Sequence, residues 1–246
     1  MSNDGAKNDQ PLVLAIETAT RAGGVAVARG ESALSSIGGD AAVSHSTNLL
    51  EMIDAALRAA GVTLVEVDLF AVALGPGSFT GLRIGLATAK AFAAHLHRQV
   101  IGVPTLAAVA HASKLKGNIV ALLPAGRGEV FVQRFVMREG ILTALDDPQH
   151  LSPREAIDKY AAVENLSFAG EGVLMINELI SEGEKSHSIS SDVTMLAPSI
   201  AVLGSRGYRE GKSVAPENLT AVYVRASDAE INERWQQQKL QRQAAK

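Results

Sequence analysis

The stretch Gly75-Pro76-Gly77-Ser78-Phe79-Thr80-Gly81 decides the fold, because it joins a predicted buried strand to a predicted helix. The apolar run LFAVAL at 69–74 precedes it, and a helical pattern follows over 81–97. Glycines allow positive φ angles and close approaches that a Cβ atom would prevent. A strand, a glycine-rich turn and a helix in direct succession predict an α/β fold.

Two interpretations of this loop remain open from the residues alone. The first helical turn offers unpaired N–H groups and a positive dipole end, which can hold an anion. Alternatively, the glycines make a tight turn and Ser78 or Thr80 caps the helix. The loop has neither the Gly-Lys-Ser/Thr ending of a P-loop nor a dinucleotide fingerprint. The residues of the candidate anion or nucleotide loop are Gly75, Gly77, Ser78, Thr80 and Gly81.

Apolar patterns on both sides of the loop predict a sheet covered by helices. Towards the N-terminus, runs at 11–16 and 23–28 predict a hairpin, and 33–37 predicts a third strand. Residues 44–60 predict an amphipathic helix that Gly61 ends. Towards the C-terminus, 100–103 predicts a further strand, and a helix follows it.

The two helices that flank the loop region predict a subunit interface. The apolar side of the 44–60 helix spans roughly 160° at ~100° per residue, wider than a sheet alone normally covers. The helix after the loop carries a small residue at every fourth position, which permits close backbone approach. Packing on the chain's own sheet is the alternative. The predicted interface residues are Leu49, Leu50, Met52, Ile53, Ala56, Leu57, Gly81, Gly85, Ala89 and Ala93.

The second half of the chain predicts a second lobe. Strand signals restart at 118–123 and 129–136, a capped helix begins at Ser152-Pro153, and 181–191 is predicted to be a loop. The predicted organisation has three parts. A first lobe with the strand–GPGSFTG–helix unit and the partner-binding helices occupies 1–110, a degenerate second lobe occupies 111–225, and a polar tail occupies 226–246.

Composition excludes several classes of protein. A net charge of −3 gives no general attraction to a phosphate backbone, so RNA binding by the chain alone is not expected. Without cysteine there can be no disulfide, thiolate metal site or cysteine nucleophile. No apolar run of about 18 residues and no signal peptide are present, which favours a cytoplasmic protein without a membrane segment.

Two polar positions are candidates for chemistry. Glu17 and Thr18 lie at the tip of the first hairpin, and His45 begins a helix between two serines. A lone acidic residue in a turn is more often solvated. A single His without a Glu-x-x-His partner is a weak metal signal, and a solvated helix start is the expected environment of His45. No serine lies in a Gly-x-Ser-x-Gly elbow, although Ser78 is superficially similar.

Four segments together resemble the TsaB (YeaZ) family in order and spacing. They are LAIETAT at 14–20, His45-Ser46, GPGSFTGLRIGLATAKAFA at 75–93 and VYVR at 222–225. The resemblance covers nearly the whole folded chain. It implies a two-lobed actin-like (ASKHA, RNase H-like) fold with mixed sheets flanked by helices.

The resemblance also implies a function. The protein would be a non-catalytic subunit required for threonylcarbamoyl transfer to N6 of adenosine 37 in tRNAs that read codons beginning with A. Its partners would be the catalytic paralogue TsaD and the ATPase TsaE, with a homodimer when alone and tRNA contact only through the complex. No catalytic residue, metal or cofactor is implied for this chain.

Departures from related patterns support a non-catalytic role. The paralogue binds metal through a His-x-x-x-His helix, whereas here the helix start contains only His45. Pro124 stands where the family usually has an Asp, and Ala221 stands where a Pro is common. The alternatives are an actin-like ATPase or phosphotransferase, which would depend on Glu17, and a peptidase acting on its paralogue, which would use His45, Ser78 or Thr80.

Overall fold

The computed structural model describes residues 10–181 and 188–224. The predicted polar tail, Arg225 of the VYVR segment and part of the predicted loop 181–191 lie outside the described residues. Within the described residues, no helix combines the length and the apolar character that crossing a membrane requires.

The first sheet has the strand order β3-β2-β1-β4-β5. Its β1 and β2 are antiparallel, and β1, β4 and β5 are parallel. Both faces are covered, which explains why β1 and β4 read as continuous apolar runs instead of alternating ones. The strands are β1 (Leu12–Glu17), β2 (Gly24–Arg29), β3 (Ser32–Gly38), β4 (Leu69–Gly75) and β5 (Gln99–Pro104).

Helices pack on both faces of this sheet. On one face lie α1 (His45–Ala60) and α2 (Phe79–Leu96), which contact β2, β3 and β4. The other face is covered by α6 (Ala197–Arg209), which contacts β1, β2, β4 and β5. The register gives the two faces: Ile16 pairs with Val72 and faces α2, whereas Ala71 points the other way, to Gly204 of α6.

The second sheet has the order β11-β10-β6-β7-β8, and β9 pairs with β7. Its hairpin β6–β7 is the longest in the described chain. Between the sheets lies α3 (Thr105–Ala112), which contacts β4, β5, β6, β7 and β8. The remaining elements are β6 (Gly117–Gly126), β7 (Glu129–Arg138), β8 (Ile141–Ala144), β9 (Gln149–Leu151), α4 (Pro153–Tyr160), β10 (Leu166–Ala169), α5 (Asn177–Ser181) and β11 (Ser188–Ser190).

Most predicted elements of the chain are confirmed within one or two residues, including the start of α4, where Ser152 and Glu155 form a capping box. Two strands were missed. A three-residue β9 carries too little pattern to detect, and β11 lies in the segment predicted as a loop. Its Ser-Ile-Ser sequence pairs with β10 through backbone hydrogen bonds, which need no apolar run.

The end of the described chain returns to the first sheet. Val214 pairs with Val100 of β5, and the Val222 amide donates to the Leu74 carbonyl at 2.8 Å. Residue 111 does separate the strands of the two sheets, but α6 and 214–224 pack on the first one. We propose a lobe boundary near residue 111 with these later segments counted in the first lobe.

Candidate functional site

A cleft of about 750 Å³ lies between the two sheets at one end of the strands. Loops from both lobes line it. The contributing segments are 19–21 after β1, 41–45 at the start of α1, 77–81 at the start of α2, 123–126 on the β6–β7 hairpin, and Tyr223. Of the candidates for chemistry found in the sequence, His45, Gly77, Ser78, Thr80 and Gly81 line this cleft, whereas Glu17, Thr18 and Gly75 do not.

Glu17 is fully buried beneath the cleft, with 0% of its surface exposed. One carboxylate oxygen accepts hydrogen bonds from the Ala19 and Thr20 amides, at 2.6 and 2.8 Å. The other accepts from the Thr20 hydroxyl at 2.6 Å. Burial raises the pKa of Glu17, and these hydrogen bonds oppose the rise. Glu17 therefore holds its own turn in place, and a metal could reach it only if the turn moved.

The glycines after β4 allow the loop to approach this chain's own backbone. A Cβ atom at Gly77 would come within 2.5 Å of the Ala19 carbonyl oxygen. A Cβ at Gly81 would overlap the Thr18 carbonyl oxygen, and one at Gly85 would overlap the Thr18 hydroxyl. The ridge of small residues along α2 therefore accommodates the turn after β1.

Hydrogen bonds join the same two segments. The Thr18 hydroxyl donates to the Gly81 carbonyl at 2.7 Å, and the Ser78 amide donates to the Ala19 carbonyl at 2.7 Å. Ser78 also caps α2, since its hydroxyl accepts from the Gly81 amide at 3.1 Å. The capping interpretation holds for Ser78. Anion binding by Gly75, Gly77, Ser78, Thr80 and Gly81 stays a prediction for a loop that lines the cleft.

His45 is wedged between the first hairpin and α2, with 9% of its surface exposed. Its Nε2 lies 2.9 Å from the Thr20 carbonyl, which can only accept, so Nε2 carries the proton. A Cβ at Gly23 would come within 2.6 Å of its Cε1. Its ring is therefore a buried support for the Glu17–Thr20 turn. The expectation of a solvated helix start is wrong at this position.

Metal ligands are not assembled in the described part of the chain. Among residues 10–181 and 188–224, no three His, Asp or Glu side chains lie close enough together to hold an ion. Glu171 is the one acidic side chain among the described residues that line the cleft, and Pro124 of β6 lines it as well.

The predicted interface residues need a correction. All of them except Leu50 are buried within the chain, as Leu49 is with 2% of its surface exposed. The first sheet and the turn after β1 cover the wide apolar side of α1 and the small-residue ridge of α2. Leu50 alone points outward, with 63% exposed. The misassigned residues are Leu49, Met52, Ile53, Ala56, Leu57, Gly81, Gly85, Ala89 and Ala93.

Sequence reasoning missed an aromatic and cationic cluster at the edge of the cleft. The Phe79 and Tyr223 rings lie 5.1 Å apart, and the Arg83 guanidinium lies 3.9 Å from the Phe79 ring centre. Tyr223 is 140 residues from Arg83 in the chain, and the two are joined by a 3.5 Å hydrogen bond. Tyr223 belongs to the VYVR segment, but no periodic pattern in the sequence indicates its contact with so distant a residue as Arg83.

The contact between Gly85 and Thr18 gives a stability prediction. Helix propensity alone predicts that Gly85→Ala stabilises α2 by about 1 kcal/mol. Because the new Cβ overlaps the Thr18 hydroxyl, we expect a loss of about 1–3 kcal/mol instead. The loss should shrink in a Thr18→Ala background, where the hydroxyl is absent. Denaturant unfolding of the four proteins of this cycle measures both effects, and equal losses in the two backgrounds would contradict the assigned contact.

Comparisons with known proteins agree with this architecture. A family model described as TsaD, tRNA N6-adenosine threonylcarbamoyltransferase, matches residues 32–233. The tRNA threonylcarbamoyladenosine biosynthesis protein TsaB of Escherichia coli (strain K12) is 27% identical over 87% of this chain and 94% of its own. The TsaB protein of Haemophilus influenzae is 34% identical over 60% of this chain and 66% of its own.

A solved structure supports the same assignment. YeaZ from Pseudomonas aeruginosa superposes with a TM-score of 0.75 at 27% sequence identity, over 87% of this chain and 99% of that one. The two chains thus share their fold over most of this chain and nearly all of the other. With the family model spanning most of the residues, this chain belongs to the TsaD family and, within it, to the TsaB (YeaZ) proteins of actin-like fold.

Proposed function

We propose that this protein acts in threonylcarbamoyladenosine (t6A) biosynthesis as a non-catalytic subunit. The TsaB relatives are named for that pathway. The observation that supports a non-catalytic role is the environment of Glu17. This side chain is fully buried, and both of its carboxylate oxygens accept hydrogen bonds from its own turn. An actin-like ATPase or phosphotransferase needs carboxylates free to hold Mg²⁺. The metal-binding His pair implied for the transferase paralogue is represented here by His45 alone. The function requires no metal or cofactor in this subunit.

Its partners would be the catalytic paralogue TsaD and the ATPase TsaE, with a homodimer forming when the chain is alone. We propose that the outward face of α1 and α2 makes these contacts. Leu50 is exposed on α1, and Ala87, Ala91 and Ala94 form a ridge of small exposed side chains on the adjacent α2. Large apolar and small side chains suit close helix packing. The tRNA would be contacted through the assembled complex, in the cytoplasm.

Two alternatives receive less support from the geometry. An ATPase or phosphotransferase would have to release Glu17 from its turn. A peptidase would need a base beside a nucleophile, whereas Ser78 caps α2 and the Nε2 of His45 bonds a backbone carbonyl. Ser199 does lie 2.9 Å from the Nδ1 of His111, but this pair is between α3 and α6, and Ser199 is buried.

The first functional prediction concerns turnover. The purified chain should show neither ATP hydrolysis nor threonylcarbamoyl transfer alone, and adding it to TsaD and TsaE should restore tRNA modification. Phosphate release measures ATP hydrolysis, and the t6A content of tRNA measures threonylcarbamoyl transfer. A rate for the isolated chain comparable to that of the full system would rule out the non-catalytic role.

The second functional prediction concerns the partner surface. Leu50→Glu should change the free energy of unfolding by less than about 0.5 kcal/mol, since the side chain is exposed. It should weaken association in sedimentation measurements and lower tRNA modification. Leu49→Glu is the matched control: it places a charge in the core and should destabilise the chain by more than about 3 kcal/mol. Unchanged association of Leu50→Glu would place the partner elsewhere.

The third functional prediction concerns RNA. At ~0.15 M salt the isolated chain should bind tRNA weakly, because a net charge of −3 releases few counterions from the backbone. Gel-shift titrations with and without the partners measure this directly. Submicromolar binding by the chain alone would contradict this prediction.

A further inference from the structure

Arg206 of α6 joins three segments that are far apart in the chain. Its Nε and Nη2 donate to one carboxylate oxygen of Glu31, at 3.0 and 2.7 Å. Its Nη1 donates to the Gly140 carbonyl at 2.8 Å. Glu31 lies in the turn between β2 and β3 of the first sheet, and Gly140 lies in the turn between β7 and β8 of the second. A single guanidinium therefore bridges the two lobes.

Glu31, the anionic partner in this bridge, is bound by two arginines. The second carboxylate oxygen of Glu31 accepts from Arg209, one helical turn further along α6. These two arginines lower the pKa of Glu31 to about 2, mainly through the Arg206 hydrogen bond. Glu31 is consequently charged at neutral pH and keeps the Arg206 side chain aimed at the second lobe. Because the arginine donors are already engaged, the cluster is not a vacant anion site.

The bridge and the cleft lie at opposite ends of both sheets. In the first sheet, Leu12 pairs with Arg29 at the end near Glu31, and Glu17 pairs with Gly24 at the cleft end. In the second sheet, the β6–β7 hairpin turns at 126–129 beside the cleft, and β7 runs away from it to Arg138. Ten residues of β7 span roughly 33 Å at about 3.3 Å each.

The layer between the sheets contacts both lobes. Here α3 contacts strands of both sheets, and α6 packs beside it, with His111 and Ser199 in contact at 2.9 Å. Two packed lobes that rotate about such a layer behave as a lever. A bond that holds the ends near Glu31 and Gly140 together must then keep the cleft ends apart.

We propose that the Glu31–Arg206–Gly140 bridge is a latch that holds the inter-lobe cleft open. The claim concerns this chain's conformation and does not depend on the proposed function. Arg206 and Glu31 side chains are 31% and 36% exposed, so the ion pair is open to screening by salt. High salt can therefore release the latch, as can a partner that forms a stronger contact with Arg206 or Glu31.

Distance measurements across the cleft test the latch. The chain has no cysteine, so Ser46→Cys and Leu174→Cys can carry two unique spin labels. Ser46 follows the cleft residue His45, and Leu174 is 72% exposed three residues after the cleft residue Glu171. Dilution with unlabelled chain removes distances between copies. Glu31→Gln and Arg206→Met should each shorten the mean distance and broaden its distribution.

The control is Glu210→Gln, which makes the same chemical change at a neighbouring ion pair. Glu210 pairs with Lys212 at 2.6 Å within one segment and crosses no lobe boundary, so its distances should equal those of the parent protein. High salt tests the latch in the parent protein. At ~1 M salt the Debye length falls to about 3 Å, so the cleft distance should shorten in the parent protein. It should not shorten further in Arg206→Met, which lacks the latch. Unchanged or longer distances in both latch variants would overturn the proposal.

Discussion

The contact on which the rest of the structure depends is the packing of the Glu17–Thr20 turn against the glycine face of α2. Glu17 forms the turn by accepting three hydrogen bonds, and Thr18 ties it to the Gly81 carbonyl. Gly77, Gly81 and Gly85 allow the two segments to approach each other where no Cβ would fit. This contact fixes the direction of α2, the position of His45 and therefore one wall of the cleft.

The same contact engages the groups that the sequence offers for chemistry. A buried acid, a histidine and a glycine-rich loop are all present, but each is bound to its neighbour. Glu17 serves its turn, His45 bonds a carbonyl, and Ser78 caps a helix. Above these residues lies the cleft, with Tyr223, Phe79 and Arg83 at its edge. A protein of this kind can act through its surfaces and through the relative position of its lobes.

The relative position of the lobes depends on α6. It covers the face of the first sheet opposite α1 and α2, and it sends Arg206 to the second lobe. The return of 214–224 across β4 and β5 brings Tyr223 to the cleft. The contact between the lobes and the position of Tyr223 are thus set by segments that follow the second sheet in the chain.

The sequence by itself determined the fold class, most helices and strands, and the family, because apolar periodicity and the GPGSFTG segment are local signals. It could not determine what covers an apolar face. The wide side of α1 looked like a subunit interface, but the sheet covers it and leaves only Leu50 outside.

Likewise, glycine spacing predicted close approach without naming the neighbour, which is Ala19 for Gly77 and Thr18 for Gly81 and Gly85. Distant contacts such as Arg83 with Tyr223 and Arg206 with Gly140 arise only when the chain folds, because no local pattern encodes a partner more than 60 residues away.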